Sequence, residues 1–177
     1  MNKLLNRRNI IILCILVILC GVGIMFGSSI SNNNSNVVVN NGDMTMPEAN
    51  AVTDEITRTI IVEQKFKYKP DTISEIAVVF TRLYEMKNLN IVIELLDEGK
   101  TLAKQTYKVE EIEDQHRTYL KPSTAIKGVA GKELTLKIYP EKRVDTGLSL
   151  MIQENNKSTF MFGNNEIKGT LCFSVSN

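Results

Sequence analysis

From Ile56 to the C-terminus the apolar residues recur every second position, and no stretch there keeps the 3.6-residue period of a helix. Ile60, Val62 and Phe66 share one phase, with Gln64 between them, and Ile76, Val78 and Phe80 repeat it. Ile91, Ile93 and Leu95 follow, interleaved with Asn90, Val92 and Glu94. The clearest strand runs from Glu133 to Tyr139, where Leu134, Leu136 and Ile138 point one way and Glu133, Thr135 and Lys137 the other. Leu148, Leu150 and Ile152 make another, and Leu171, Phe173 and Val175 the last. Turn chemistry separates these runs: Lys69-Pro70-Asp71, Asp97-Glu98-Gly99-Lys100, Lys121-Pro122-Ser123, Gly128 to Gly131, Asp145-Thr146-Gly147 and Gly163-Asn164-Asn165. The pattern predicts an all-β domain over residues 55–177, an antiparallel β-sandwich of about eight strands. The long segments between strands favour a jelly roll over a meander. Lys108 to Gln115 reads equally well as a short helical turn or as an edge connection.

The N-terminal part follows different rules. Ile10 to Phe26 is a run of seventeen residues without a charge, about 25 Å long as a helix. Extended to Ile30 it approaches the roughly 30 Å hydrocarbon core of a bilayer, where a helix satisfies its own backbone. The expectation is therefore a cytoplasmic N-terminus over 1–9 and a transmembrane helix over 10–30, with the bilayer as its partner. Lys3, Arg7 and Arg8 precede the run and no acid does, which keeps the N-terminus cytoplasmic and puts the β-domain outside the cell membrane. A cleaved signal peptide is the competing reading, with Gly27-Ser28-Ser29 as its weak cleavage site. Leu13 before Cys14 and Leu19 before Cys20 fit a lipoprotein signal poorly, and no pilin processing glycine precedes the run. Residues 31–54, rich in Asn and Ser, lack a periodic apolar pattern and read as a disordered linker.

Charge alters the functional picture mainly by exclusion. The chain has 21 Lys plus Arg and 20 Asp plus Glu; with the three leading cations set aside, 18 face 20. Nucleic acid as a partner asks for clustered positive charge, which is missing. Of the three cysteines, Cys14 and Cys20 lie in the apolar run and Cys172 in the last strand, so neither a disulfide framework nor a zinc set follows. Cys172 reads as a buried thiol. Glu110, Glu111, Glu113 and Asp114, with His116 nearby, form the densest titratable group. Adjacent carboxylates in one connection seldom face each other across a sugar as a glycosidase needs. No Gly-x-Ser-x-Gly elbow supports a Ser-His-Asp arrangement, and no phosphate-binding glycine motif is present. Asp71, Asp97 and Asp145 lack the dense spacing of a calcium loop. We expect no enzyme, no metal and no cofactor.

The order of elements from Gln64 to Val175 resembles the β-sandwich module attached to bacterial cell-envelope and surface-polysaccharide membrane proteins, related in shape to galactose-binding and carbohydrate-binding jelly rolls. The resemblance rests on Gln64-Lys65-Phe66, Ile76 to Phe80, Tyr84 with Asn88, and the Asn90 to Leu96 strand ending in Asp97-Glu98-Gly99. It continues through Ile112, Asp114, Tyr119, Pro122, Gly131, Leu134 to Tyr139 and Gly169-Thr170-Leu171-Cys172-Phe173. Leu89 stands where that pattern often has glycine, and the chain has no Trp. The resemblance implies a sandwich in a cell-envelope setting that binds an envelope glycan or assists surface-polysaccharide assembly. The alternative is an interaction protein that recruits another membrane protein and binds no sugar. Sugar recognition would use aromatic faces framed by hydrogen-bonding groups. Tyr84, Tyr107, Tyr119, Phe160 and Phe162 are the available faces. The candidate ligand-binding set is Arg82, Tyr84, Asn88 and Tyr119.

Overall fold

The computed structural model describes residues 37–38, 44–57, 60–82, 87–145 and 147–177. The expected membrane span over 10–30 and its two cysteines lie outside the described residues, as does Tyr84. Among the described residues no helix is long and apolar enough to cross a membrane. The strands are β1 (Val37–Val38), β2 (Ala51–Val52), β3 (Val62–Lys67), β4 (Thr72–Ile73), β5 (Glu75–Thr81), β6 (Asn90–Asp97), β7 (Lys100–Lys108) and β8 (Arg117–Leu120). After them come β9 (Ile126–Lys127), β10 (Glu133–Pro140), β11 (Ser149–Gln153), β12 (Thr159–Phe162), β13 (Asn165–Lys168), β14 (Thr170–Leu171) and β15 (Phe173–Ser176). One 3-10 turn covers Val109–Glu111, which resolves the ambiguous Lys108–Gln115 segment in favour of a helical turn.

The first sheet runs β13-β12-β3-β10-β6-β7, with β1 beside β3; the second contains β14, β11, β5 and β15, with β2 on β11 and β8 on β5. A small β4-β9 ladder stands apart. Apart from the parallel β1-β3 pair, the pairings are antiparallel. The expected all-β antiparallel character is thus what the structure shows. The two sheets share one core, as in a β-sandwich. Val62 and Phe66 of β3, Ile91, Ile93 and Leu95 of β6, and Leu134, Leu136 and Ile138 of β10 supply the first sheet's share. Ile76, Val78 and Phe80 of β5, Leu150 and Ile152 of β11, and Phe173 and Val175 of β15 supply the second's. Phe66 and Phe173 meet edge to face across the interior, with ring centroids 5.2 Å apart. Each of these residues lies in an apolar phase visible in the sequence, since burial on one face of a strand requires a period of two.

Gln64 is the most deeply buried of the polar side chains among the described residues, and its amide is saturated. Its Nε2 donates to the carbonyls of Lys65 and Thr159 at 3.2 and 3.0 Å. Its Oε1 accepts from Thr170 Oγ1 at 3.4 Å and from the Leu171 N–H at 3.2 Å. A buried amide with all its bonds made costs little and ties β3 to β12 and β14 in one register.

The linker reading needs correction at its C-terminal end. Residues 44–54 lie along the second sheet. Met44 is buried and exchanges two backbone hydrogen bonds with Val175, at 2.7 and 3.1 Å. Asn50, Thr53 and Ile56 donate backbone N–H groups to Ile152, Leu150 and Leu148. Composition missed this arm because a backbone ladder does not depend on side-chain type, and the groups on the flank of β11 need partners from some segment. Gly147 makes room for the arm: a Cβ there would collide with the Ile56 carbonyl.

Candidate functional site

A concave surface among the described residues lies where the end of β7, the 3-10 turn, the loop after it and β8 converge. Val109 and Ile112 are buried and anchor that segment to the core. Polar bonds set its remaining shape. Asp114 Oδ1 accepts from Thr81 Oγ1 and from the Arg82 N–H, both at 2.9 Å. Gln115, with a positive φ of 58°, turns its N–H onto the Phe80 carbonyl at 2.9 Å. The end of β5 therefore holds the loop at three points. Glu110 Oε1 accepts from the Asn88 N–H at 3.0 Å, and Glu111 Oε2 from the Lys108 N–H at 3.3 Å.

These bonds explain the acidic cluster. The Arg82 N–H, with Thr81 second, holds the Asp114 carboxyl below its usual range, and the Asn88 N–H does the same for Glu110. With Glu111 bonded to the Lys108 N–H, three of the four clustered acids are thus engaged in loop geometry. Glu113 and His116 remain outward and well exposed. His116 Nδ1 lies 2.8 Å from the Asp114 carbonyl, which can only accept, so Nδ1 carries the proton. It is 3.9 Å from Glu113 Oε2.

The cleft so formed encloses about 640 Å³ and is lined by Tyr107, Tyr119, Glu111, Glu113, Gln115, His116, Arg117 and Thr118. Its floor is set by one bond, from the Tyr107 hydroxyl to the Tyr119 carbonyl. Burial pushes the Tyr107 phenol above its ordinary range. Lys121 Nζ sits 4.7 Å from the centre of the Tyr119 ring and is itself held 2.9 Å from Glu75. That ion pair, the largest cause, raises the Lys121 pKa. The arrangement offers two aromatic side chains beside an amide, a guanidinium, an imidazole and two carboxylates. Such a set suits a polar ligand with apolar faces. Among the described residues, no three His, Cys, Asp or Glu side chains group as metal ligands.

Of the four candidate residues, Tyr119 lines the cleft. Arg82 and Asn88 stand behind it and act through their backbone N–H groups on the loop that forms its wall. Phe160 is a core residue. The sequence reading passed over Gln115 and Arg117, which carry no periodic signal; only the course of the loop against β5 brings them beside Tyr107. Cys172 is buried, and burial pushes its thiol up to about 11, so it takes no part in nucleophilic chemistry near neutral pH.

The outer face of the first sheet carries a second polar group. Glu94 is almost fully buried there, accepting from Thr101 Oγ1 at 2.6 Å and from the Tyr139 hydroxyl at 3.0 Å. Burial alone would raise its pKa, but these two bonds and the charges of Lys104 and Lys137 outweigh it and leave the carboxyl below its usual range. Glu63, Lys137, Glu94 and Lys104 occupy paired positions on β3, β10, β6 and β7, a row of alternating charge. This row stitches the strands and forms no cavity. No protein-family model matches the chain, and no curated protein matches it significantly. The functional reading therefore stands on residues and geometry.

Proposed function

We propose that the chain is a membrane-anchored, extracytoplasmic and non-catalytic jelly-roll module that binds a cell-envelope glycan, alone or as an accessory to surface-polysaccharide assembly. The single observation that carries the reading is the cleft beside Tyr107 and Tyr119, with aromatic and hydrogen-bonding side chains on one open surface. The jelly-roll assignment draws on the course of the chain. It passes from β3 in the first sheet to β5 in the second, back to β6 and β7, and over to β8. It then returns to β10, crosses to β11, returns to β12 and β13, and ends in β14 and β15 of the second sheet. The anchor and the extracytoplasmic setting draw on the apolar run and its leading cations. The large apolar side chains exposed among the described residues, Val52 at 50% and Met161 at 37%, stand singly and give no apolar strip of the kind a protein partner would cover.

The test is titration of the full-length chain, in detergent, with soluble fragments of envelope polysaccharides, comparing wild type with Tyr119→Ala. That substitution keeps the carbonyl that accepts from Tyr107, so the cleft floor survives. Loss of one aromatic face should weaken binding by about 1 kcal/mol, roughly five- to tenfold. Failure of the wild-type chain to bind any fragment, or equal binding by the variant, would remove the glycan reading.

A further inference from the structure

We infer that the outer edge of β7 is a docking edge for an extended acidic segment of a partner protein, which joins the first sheet as an added strand. This concerns a different surface from the Tyr107 cleft and does not depend on the glycan reading.

β7 is nine residues long and is the last strand of its sheet; among the described residues no strand pairs with its outer side. Its backbone groups on that side form a template for another chain. The segment from Lys121 to Ile126 runs alongside and leaves a cleft of about 470 Å³ against Leu102, Ala103, Lys104 and Gln105. The two walls are joined at one end by the Lys121 N–H donating to Gln105 Oε1 at 3.2 Å. The other edge of the sheet, β13, is only four residues long and carries both Glu166 and Lys168.

Charge selects the occupant. Residues 100–108 contain Lys100, Lys104 and Lys108 and no acid, and residues 121–127 contain Lys121 and Lys127 and no acid. Glu94 and Glu75 partly neutralise Lys104 and Lys121, and Glu110 and Asp97 lie near Lys108 and Lys100, but both of these end lysines are exposed to solvent. A second copy of β7 is a poor partner. Antiparallel pairing centred on Thr106 sets Lys104 against Lys108, and pairing centred on Lys104 sets that residue against itself. Like charges directly opposite each other oppose pairing. The chain's own N-terminal residues are no better, because positions 1–42 contain no Asp or Glu. An extended segment with Asp or Glu at alternate positions satisfies both the backbone and the lysines.

The probe is an end-blocked octapeptide of alternating Glu and Thr, added to the full-length chain in detergent and compared with its Lys-Thr counterpart. Amide hydrogen exchange within residues 101–107 should slow at least about tenfold with the Glu-Thr peptide and stay unchanged with the Lys-Thr peptide. Raising the salt concentration should weaken the protection. The exposed double substitution Lys100→Glu/Lys108→Glu should reverse the preference between the two peptides. Absence of protection in β7, protection on β13 instead, or equal protection by both peptides would overturn the inference. So would concentration-dependent protection of β7 without peptide, which would identify a second copy as the occupant.

Discussion

β10 and β7 both flank β6, and they differ in nearly everything else. β10 is paired along both sides, by β3 and by β6, and its residues alternate regularly between buried and more exposed. β7 is paired on one side only, with a register shift opposite Leu95 and Leu96, and none of its residues is fully buried. The first strand was plain in the amino-acid pattern and the second was invisible to it. Apolar alternation reports burial of one face, not the presence of a strand. A strand at the rim, with Leu102, Ala103 and Tyr107 only partly buried against the core, keeps its hydrogen-bonded ladder without the pattern.

The largest test of that contrast is Leu136→Ala in β10, a fully buried position that should lose about 2–5 kcal/mol in urea unfolding. Gln64→Ala comes next. It strips partners from the Leu171 N–H and the Thr159 carbonyl in a closed interior, and should cost about 1–3 kcal/mol. A smaller effect is expected from acid. The carboxyls of Glu94, Asp114 and Glu110 are held below their usual range in the folded state. Their contribution is complete above the unfolded value near pH 4 and disappears as the pH falls through the folded values. Midpoints of urea unfolding should thus drop as pH falls below about 4, and Glu94→Gln should flatten that limb relative to wild type. Smallest is Thr106→Ala on the exposed edge of β7, expected to shift stability by no more than about 0.5 kcal/mol. A loss near that of Leu136→Ala would mean that β7 is covered after all.

The candidate site divides along the same line. Tyr119 and Tyr107 were legible as aromatic residues in a region without a strong apolar phase, and the acidic cluster was legible as a density of charge. Their roles were not. Glu110 and Asp114 look alike in sequence to Glu111 and Glu113, yet they end up bonded to backbone N–H groups more than twenty residues upstream. Arg82 and Asn88 were singled out for their side chains, and the hydrogen bonds they give the loop come from their backbone N–H groups.

By itself the amino-acid sequence determined the all-β character, the inward residues of β3, β5, β6, β10 and β15, and most of the turns. Those depend on local backbone preference and on a face-by-face period that needs no knowledge of the neighbours. Only the tertiary structure decided that residues 44–54 complete the second sheet, that Gln64 closes a joint of three bonds between strands, that the acidic loop is pinned to the end of β5, and that β7 is left as an edge. Each of these rests on backbone groups and polar side chains finding partners far along the chain, and such partners leave no periodic trace in the sequence.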